Sequence, residues 1–567
     1  MLKLKKILAE KLLCGINAMN SDSGLDVNAV ADMLEYPPDA AMGDLALPCF
    51  KLSRSLRRSP VHIAEALAST LESELLSKVE AVNGYLNMYI GDNFYSDCIE
   101  TALEKGEKFG APEFGKGKTV VLDYSSPNVA KPFHIGHLGT TVIGHSLKKL
   151  HEFAGYDCVG INYLGDWGTQ FGKLIVAYRK WGSKEDVEAG GVDKLVELYV
   201  KFHNEAENDK ALEDEARAEF TKLEQGNEEN LALWRWFVDV SLAEYKQTYK
   251  LLDIEFDSYK GESFYTDKMP AQVQKLRDSG LLKIDDGASI VDLEEYNMPP
   301  CLILKRDGST LYPTRDIAAA VYRKNEYKFD KAIYVTSAGQ SLHFAQWFKV
   351  VELMGYDWFD QLVHVPYGTV SINGAKLATR TGNVILLRDL FAQAIEKVTD
   401  IIDEKNPNLE NKKQVAEDVG VGAIIFYYLS NNRMRDINFI MEDALSFDGN
   451  TGPYVQYTYA RTCSILQKSE LTGGENKITS PEERTLISVL SKFEEKVVEA
   501  IEAYEPSIIT RYILDVAVAF NQFYHNCQIL SAEDEEVRAT RIRITKAANT
   551  VLGNAFSLIC LKKTEKI

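Results

Sequence analysis

Two histidines that flank Ile135 and Gly136 are the first residues whose types and spacing point to chemistry. His134 and His137 follow an apolar run at 119–124 that predicts a strand, and they open a helical pattern at 135–153. The first turn of such a helix offers free N–H groups and a positive dipole end to a phosphate. Two imidazoles can donate to phosphate oxygens, and Gly136 lets a flat ring approach the backbone. The segment predicts a nucleotide site at the carboxyl end of a strand, and two ordinary helix histidines are the alternative.

Tyr312 and Asp316 form a second candidate site in the segment DGSTLYPTRD. A helical pattern begins beside Asp316, and the dipole of that helix would keep the carboxylate ionised, as recognition of a cation requires. Carboxylates and a flat ring are the groups that best bind a planar guanidinium. From the sequence alone, a helix-capping role for Asp316 is the simpler interpretation.

Size and composition indicate a globular protein of several domains. The chain has 567 residues and a formal net charge of -19. This charge argues only weakly against a nucleic-acid partner, because a basic face can lie on an acidic protein. The eight cysteines form no CxxC pair, so the sequence indicates neither a zinc site nor a disulfide framework. The first residues have the interrupted apolar stripe of a helix, and no apolar run approaches the roughly 20 residues of a membrane span, so we expect a cytoplasmic protein that binds no membrane.

Three units are predicted along the chain, which together make a multidomain α/β protein. Residues 1–112 alternate helical and strand-like segments, as in an α+β module. Residues 116–395 follow the order strand, helix, strand, which predicts a Rossmann-like, doubly wound parallel sheet with a hairpin turn at Asp307-Gly308. An acidic stretch at about 182–250 predicts an inserted helical hairpin. Residues 396–567 have helical periodicity and predict an all-α bundle.

The HIGH motif at 134–137, placed after a first strand, resembles the signature of class I aminoacyl-tRNA synthetases. The longer string DYSSPNVAKPFHIGHL is similar to the arginine-specific branch of that class. The segments NYLGDWGTQFGKL, SYKGES, DGSTLYPTRD, GQSLHFAQ and DALSFDGNTGPYVQYTYAR match the same branch in the same order. The resemblance covers nearly the whole chain and implies an arginine–tRNA ligase that forms an arginyl adenylate, releasing AMP and pyrophosphate. It also implies that Mg²⁺ arrives with ATP and that the protein itself binds no metal.

The resemblance assigns one group of residues to ATP. The expected catalytic residues are His134, His137 and Lys131, and the expected ATP-binding residues are Lys131, His134, Gly136, His137, Lys376 and Arg380. The second signature of the class, KMSK, corresponds to a stretch at 376–383 in which the final lysine is missing and only Lys376 and Arg380 remain basic. Lys131 resembles a substitute for that lysine, and a plain surface lysine is the alternative.

A second group of residues is assigned to arginine. Tyr312 and Asp316 match the pair that recognises the guanidinium, and Glu262 matches a second carboxylate. The full expected set is Asp123, Ser125, Asn128, Glu262, Tyr312, Asp316 and Gln340, of which Asn128 and Gln340 match amides that hold the amino-acid backbone. A strand-end role for Asp123, a loop cap at Ser125 and a solvated loop acid at Glu262 are the alternatives.

Contacts to tRNA are expected on two surfaces. In the N-terminal module, Lys51, Arg54 and Arg58 recur at helical spacing, although a solvated helix face would look the same. In the bundle, which resembles the anticodon-binding domain of the family, the expected residues are Tyr454, Tyr459, Arg461, Asn521 and Tyr524. Aromatic and arginine side chains suit stacking on splayed-out bases, whereas for Tyr457 we expect a core position.

Arginine, ATP and tRNA are thus the expected partners, and the chain is expected to be a monomer. Two alternatives stay open from the sequence: an RNA-binding paralogue without activity, and another class I synthetase such as the cysteine-specific one. The cysteine-specific enzyme would need a zinc site that no cysteine or histidine spacing here supplies.

Overall fold

The computed structural model describes residues 1–20, 23–376 and 385–567. Within these ranges, no helix is both long enough and apolar enough to cross a membrane.

The N-terminal unit combines five helices with a small antiparallel sheet. Its elements are α1 (Leu2–Met19), α2 (Val27–Met33), β1 (Leu45–Pro48), α3 (Phe50–Leu56), α4 (Pro60–Thr70), β2 (Leu76–Val82), β3 (Tyr85–Ile90) and α5 (Asp92–Lys105). The strands pair in the order β1–β3–β2. Leu4, Leu8 and Leu12 recur every four residues in α1 and are buried, because this spacing places them on one face of the helix.

The central unit contains the predicted parallel sheet. Its elements are β4 (Thr119–Asp123), α6 (Leu138–Phe153), β5 (Asp157–Ile161), α7 (Thr169–Trp181), α8 (Lys184–Asn208), α9 (Ala211–Glu224), α10 (Glu228–Leu251), α11 (Met269–Asp278), β6 (Leu282–Asp285), β7 (Ala288–Val291), β8 (Cys301–Leu304), α12 (Tyr312–Tyr327), β9 (Lys331–Ser337), α13 (Ser341–Leu353), β10 (Leu362–Tyr367), β11 (Val370–Ile372) and β12 (Ala375–Lys376). Four strands pair in parallel in the order β10–β9–β4–β5. The chain leaves β4 toward β5 on one side, and β9 lies on the other side. Sheets of this kind bind ligands at such a reversal of strand order.

Two features of the central unit differ from the sequence prediction. The acidic insertion forms three helices, α8 to α10, instead of a hairpin of two. A second sheet, β6–β7–β8, begins well before the predicted return of strands. Its first hairpin turns at Asp286 and Gly287, which both have positive φ, and the exposed polar residues of β6 hide the strand pattern. The predicted turn at Asp307-Gly308 is confirmed by an antiparallel bridge between Leu304 and Thr310.

The C-terminal unit is helical apart from one short strand. Its elements are α14 (Leu387–Lys405), α15 (Lys412–Leu429), β13 (Ile437–Phe439), α16 (Met441–Ala444), α17 (Gly452–Gln467), α18 (Pro481–Leu490), α19 (Phe493–Ala503), α20 (Ser507–Asn526) and α21 (Glu535–Leu558). β13 pairs in parallel with β11 of the central unit. The Ser146 hydroxyl on α6 also donates to the Leu558 carbonyl over 2.7 Å, so the bundle packs directly against the helix that follows the HIGH motif.

Candidate active site

A cavity of about 470 Å³ opens at the carboxyl ends of β4 and β9. Asp123 ends β4, Gln340 lies just beyond β9, and α12 supplies a third wall. All seven residues expected to bind arginine line this cavity, together with His137. The tertiary structure therefore brings together residues that are spread over more than two hundred positions of the sequence.

The two histidines of the HIGH motif are held as hydrogen-bond donors. Ile135–His137 form a single 3-10 turn before α6, and the backbone N–H groups of Gly136 and His134 donate to Nδ1 of His134 and of His137 over 3.0 and 3.2 Å. Burial lowers the pKa of His137 to about 3 and also lowers the pKa of His134. Both rings are therefore neutral at neutral pH with the proton on Nε2, which leaves each Nε2–H free to donate to a ligand.

The cations expected beside these histidines are only partly described. Lys131 is exposed, and it borders a small pocket next to Gln170 and Tyr199, outside the lining of the main cavity. Its positive charge contributes to the lowered pKa of both His134 and His137, so its ammonium lies near the motif. The backbone of Lys376 belongs to β12, and Arg380 lies outside the described residues.

Asp316 does not cap a helix, so the capping interpretation is wrong. α12 begins at Tyr312, after the N-cap residue Leu311, and Asp316 therefore lies in the second turn. Its Oδ2 accepts a hydrogen bond from Nε2 of His343 over 2.6 Å. Tyr312, one turn earlier on the same face, is exposed at the rim of the cavity. This helix thus presents a carboxylate and an aromatic ring to the same space.

Glu262 contributes the second carboxylate of the cavity. Its Oε2 lies 2.6 Å from Nη1 of Arg315, and both side chains are largely buried. Burial raises the pKa of Glu262 to about 7; Arg315 opposes this shift, and the charges of Asp316 and Asp166 add to it. A bound cation would favour the ionised form, so the cavity is an acidic site suited to a guanidinium.

Asp166 fastens the loop that carries Glu262. Its carboxylate accepts from the N–H and the hydroxyl of Ser263 over 2.8 and 2.6 Å. Trp167 packs edge-on against Trp234, at 5.6 Å between ring centres. These contacts give the DWGTQ segment a structural role next to the cavity.

The carboxylate of Asp123 is already paired inside the protein. Nη1 of Arg323, which is 1% exposed, lies 2.8 Å from Asp123 Oδ2, and the Ser126 hydroxyl donates to Oδ1 over 2.9 Å. Rings of Tyr163 and Tyr334 lie beside the guanidinium, 4.9 and 5.7 Å from its carbon. The pair forms a wall of the cavity and holds the end of β4 in place.

Ser125 is likewise occupied by the protein. Its hydroxyl lies 2.8 Å from both Thr141 Oγ1 and Tyr249 Oη, and its N–H donates to Thr140 Oγ1 over 3.0 Å. These buried bonds hold a backbone of positive φ, so they agree with the loop-cap alternative for Ser125.

Asn128 and Gln340 are exposed residues on two walls of the cavity. The Asn128 amide lies against Gly165, where a Cβ would come within 2.1 Å of Asn128 Oδ1. Gly165 therefore has to lack a side chain for the amide to keep this position. Both amides remain available to an amino group or a carboxylate of a ligand.

The cavity lining also includes residues that the sequence did not point to, among them Tyr163, Arg323 and His343. Arg323 resembles an ordinary helix-surface arginine in the sequence, and nothing local marks its burial. The sequence offers one indication that His343 lies in the site: it follows Gln340 by three residues, which places both on the same face of a helix.

Two tyrosines of the bundle have the reverse of their expected burial. Tyr457, expected in the core, is 45% exposed, whereas Tyr459 is 8% exposed and packs against Phe556. The guanidinium carbon of Arg461 lies 5.0 Å from the ring centre of Tyr457 and 4.7 Å from that of Tyr524. Asn521 hydrogen-bonds Arg461 and donates to Tyr454 Oη over 2.9 Å. We call the group formed by the exposed Tyr457 and Tyr524 and the half-buried Arg461 the aromatic–arginine cluster.

The basic residues of the N-terminal unit that were expected to contact tRNA, Lys51, Arg54 and Arg58, are exposed, but they do not share one helix. α3 ends at Leu56, and Arg57 takes a left-handed conformation, so Arg58 leaves the face formed by Lys51 and Arg54. The helical spacing predicted for all three is therefore wrong for Arg58. Lys51 also forms an ion pair with Glu35 at 2.6 Å.

Within residues 1–20, 23–376 and 385–567, no group of three or more histidine, cysteine, aspartate or glutamate side chains is placed to hold a metal ion.

Three family models match the chain. These are the arginyl-tRNA synthetase N-terminal domain at residues 4–90, the class I (R) tRNA synthetase catalytic domain at 98–441, and the DALR anticodon-binding domain at 455–567. The arginine–tRNA ligase of Alkaliphilus metalliredigens is 50% identical over 550 residues, covering 96% of this chain and 97% of the relative. That of Clostridium botulinum strain 657 is 48% identical, covering 99% and 100%.

Solved structures show the same fold at lower identity. The arginyl-tRNA synthetase of Thermus thermophilus superposes with a TM-score of 0.82 at 24% identity, covering 98% of this chain and 99% of the other. The arginyl-tRNA synthetase of Plasmodium falciparum gives a TM-score of 0.83 at 23% identity, covering 100% and 99%.

Proposed function

The chain belongs to the arginyl-tRNA synthetase family and ligates arginine to tRNA, and we propose that the cavity between β4 and β9 holds arginine and ATP for this reaction. One observation carries the proposal. Two carboxylates suited to a guanidinium, Glu262 and Asp316, line the same cavity as His137, whose Nε2–H is suited to a phosphate oxygen.

In the proposed first step, a carboxylate oxygen of arginine attacks the α-phosphorus of ATP, the bond to the β-phosphate breaks, and pyrophosphate leaves. His134 and His137 donate their Nε2–H groups to phosphate oxygens that gain negative charge, and Gly136 leaves room for the nucleotide. Lys131, with Lys376 and Arg380, supplies positive charge to the pyrophosphate. Mg²⁺ enters with ATP and neutralises part of the phosphate charge.

Arginine is proposed to lie across the cavity from its guanidinium to its backbone. Asp316 and Glu262 bind the guanidinium, and the exposed ring of Tyr312 covers its flat face. Bound arginine would then replace Arg315 as the partner of Glu262. Asn128 and Gln340 hold the α-ammonium and orient the carboxylate toward ATP. Asp123 and Ser125 support this end through the hydrogen bonds described above, in place of direct contacts.

In the second step, a ribose hydroxyl at the end of the tRNA attacks the carbonyl carbon of the adenylate, and AMP leaves. We propose that the aromatic–arginine cluster contacts the anticodon loop, with Tyr454 and Asn521 positioning Arg461. The exposed cations Lys51, Arg54 and Arg58 are proposed as phosphate contacts of the N-terminal unit.

Arginine-dependent exchange of pyrophosphate into ATP, run with and without tRNA, tests this function. We expect exchange with arginine and none with cysteine, and the resemblance to the family implies that it requires tRNA. Absence of exchange under all conditions would favour an inactive paralogue, an alternative that the relatives named arginine–tRNA ligase do not favour.

We also propose that the protein is a monomer and that it acts in the cytoplasm, where tRNA is used. The proposed units are residues 1–112, 116–395 and 396–567, with the insertion at 182–250. Since α14 runs through residue 395, the second boundary is better placed just before Leu387.

Asp316→Asn should raise the KM for arginine by about tenfold or more, because it keeps the shape and removes a charge-assisted contact of about 1.5–3 kcal/mol. The KM for ATP should stay the same. Steady-state aminoacylation measures both constants, with Asp278→Asn, an exposed aspartate at the end of α11, as the control. An unchanged arginine KM would show that Asp316 does not bind the guanidinium.

Tyr457→Ala and Tyr524→Ala should each raise the KM for tRNA by about tenfold, since one aromatic–base stack contributes about 1–3 kcal/mol. Val518→Ala, which truncates another exposed residue of α20, is the control. KM values for tRNA and for arginine are measured at saturating ATP. If neither tyrosine affects the KM for tRNA, the anticodon contact lies elsewhere.

A further inference from the structure

His343 joins two helices that border the cavity. It lies on α13, and its Nε2 is 2.6 Å from Oδ2 of Asp316 on α12. Both side chains are mostly buried, and both line the cavity. Within the described part of the chain, this is the hydrogen bond that holds the Asp316 carboxylate.

We propose that His343 is the positioning residue of the guanidinium site, which it builds by fixing the carboxylate of Asp316. This inference rests on the proposed role of Asp316 in binding arginine. Nε2–H of His343 donates to Oδ2, so the carboxylate plane is set and Oδ1 is left to receive the substrate.

The need for such a residue follows from where Asp316 lies. In the second turn of α12 its side chain cannot reach the free N–H groups of the helix start, so the backbone does not orient it. An unheld carboxylate would populate several rotamers, and binding would have to select one of them. A carboxylate that is already oriented loses less conformational freedom when the substrate binds.

The chemistry of the donor also matters. An imidazole can donate this hydrogen bond from its Nε2–H without the permanent positive charge of a lysine or an arginine. A lysine or arginine at this place would neutralise Asp316 and compete with the substrate. His343 can therefore organise the acidic site and leave its net charge available for the cation.

Four variants separate positioning from other roles. His343→Ala removes the donor, whereas His343→Gln places an amide N–H near the position of Nε2. His343→Asn carries the same amide on a side chain too short to reach Asp316. His62→Ala, which removes an exposed histidine whose ring is hydrogen-bonded to Ser59, is the matched control.

We expect His343→Ala and His343→Asn to raise the arginine KM by about tenfold, the scale of one charge-assisted hydrogen bond. His343→Gln should recover most of the affinity. The kcat and the KM for ATP should change by less than about twofold in all of them, because a positioning residue for the guanidinium acts on ground-state and transition-state binding alike. Melting temperatures measured alongside show whether each variant is folded.

A double variant, Asp316→Asn with His343→Ala, completes the test. If His343 acts through Asp316, the double variant should have nearly the arginine KM of Asp316→Asn alone. Additive effects would overturn positioning and indicate a direct contact between His343 and the substrate. If folded His343→Ala has a normal arginine KM while Asp316→Asn raises it, the positioning role of His343 is wrong but the guanidinium site stands. If Asp316→Asn leaves the arginine KM unchanged, the proposed guanidinium site itself is wrong.

Discussion

Lys131→Ala is expected to lower the kcat of aminoacylation by about 10²–10³, the scale of removing one charge-stabilising group from a transition state. Pyrophosphate gains negative charge as the adenylate forms, and a cation has to meet it. The final lysine of the KMSK signature is replaced here by Thr379, which lies outside the described residues. Lys131 is exposed, and its charge lowers the pKa of His134 and His137, so its flexible side chain lies near the proposed phosphate site.

Because this contact would strengthen mainly in the transition state, kcat should fall more than the KM for ATP rises. Steady-state kinetics measure both constants, with Lys116→Ala as a control on an exposed lysine of the same unit. Adding Thr379→Lys to Lys131→Ala should restore part of the rate. A nearly normal kcat in Lys131→Ala would assign the charge to Lys376 or Arg380 instead.

Asp123→Ala is expected to lower the free energy of unfolding of the central unit by about 3–5 kcal/mol, because it leaves a buried guanidinium without its counter-charge. Arg323 is 1% exposed and pairs with Asp123 at 2.8 Å. Urea unfolding followed by fluorescence measures the change. Asp157→Ala, at the exposed start of β5, is the control and should shift the transition little.

A second variant separates stability from function at this position. Asp123→Ala combined with Arg323→Met replaces the pair by apolar groups and should recover much of the lost stability. The arginine KM of the double variant, measured once it is folded, then shows whether Asp123 acts only through the wall of the cavity. An unfolding free energy unchanged by Asp123→Ala alone would mean that the buried ion pair does not form in solution.

Point variants test the bundle better than truncation near residue 440 would. The bundle packs against α6, where Ser146 bonds to the Leu558 carbonyl, and β13 extends the β11–β12 pair. Removing the bundle would expose the face of α6, the helix that follows the HIGH motif, that now packs on the bundle. Loss of activity in such a fragment could then come from unfolding instead of lost tRNA binding.

Local pattern was sufficient to predict the units that carry the site. A short apolar run before the HIGH motif predicts β4, and a strand–helix–strand order predicts a parallel sheet. The carboxyl end of such a strand is where ligands bind, so the nucleotide site could be placed before any contact was known. These features depend on residues within a few positions of each other, so the pattern of residue types along the chain is enough to predict them.

Side-chain partners depend instead on residues far apart in the chain. His343 and Asp316 are 27 positions apart, Arg315 and Glu262 are 53 apart, and no periodicity links them. Sequence alone therefore selected Asp316 and Glu262 as acids but did not find the groups that hold them. The same holds for Arg323, whose burial follows from how α12 packs on the sheet.

A pair of tyrosines in α17 shows most simply why sequence pattern alone cannot decide which side chains are buried. Tyr457 and Tyr459 are two residues apart, so about 200° of helix rotation separates them, and when one faces the core the other faces away. Resemblance and composition marked both as aromatic residues beside an arginine. Only the packing of α17 against α20 and α21 decided that Tyr459 is buried on Phe556 and Tyr457 is exposed beside Arg461, because helix rotation is set by the surfaces that pack against it.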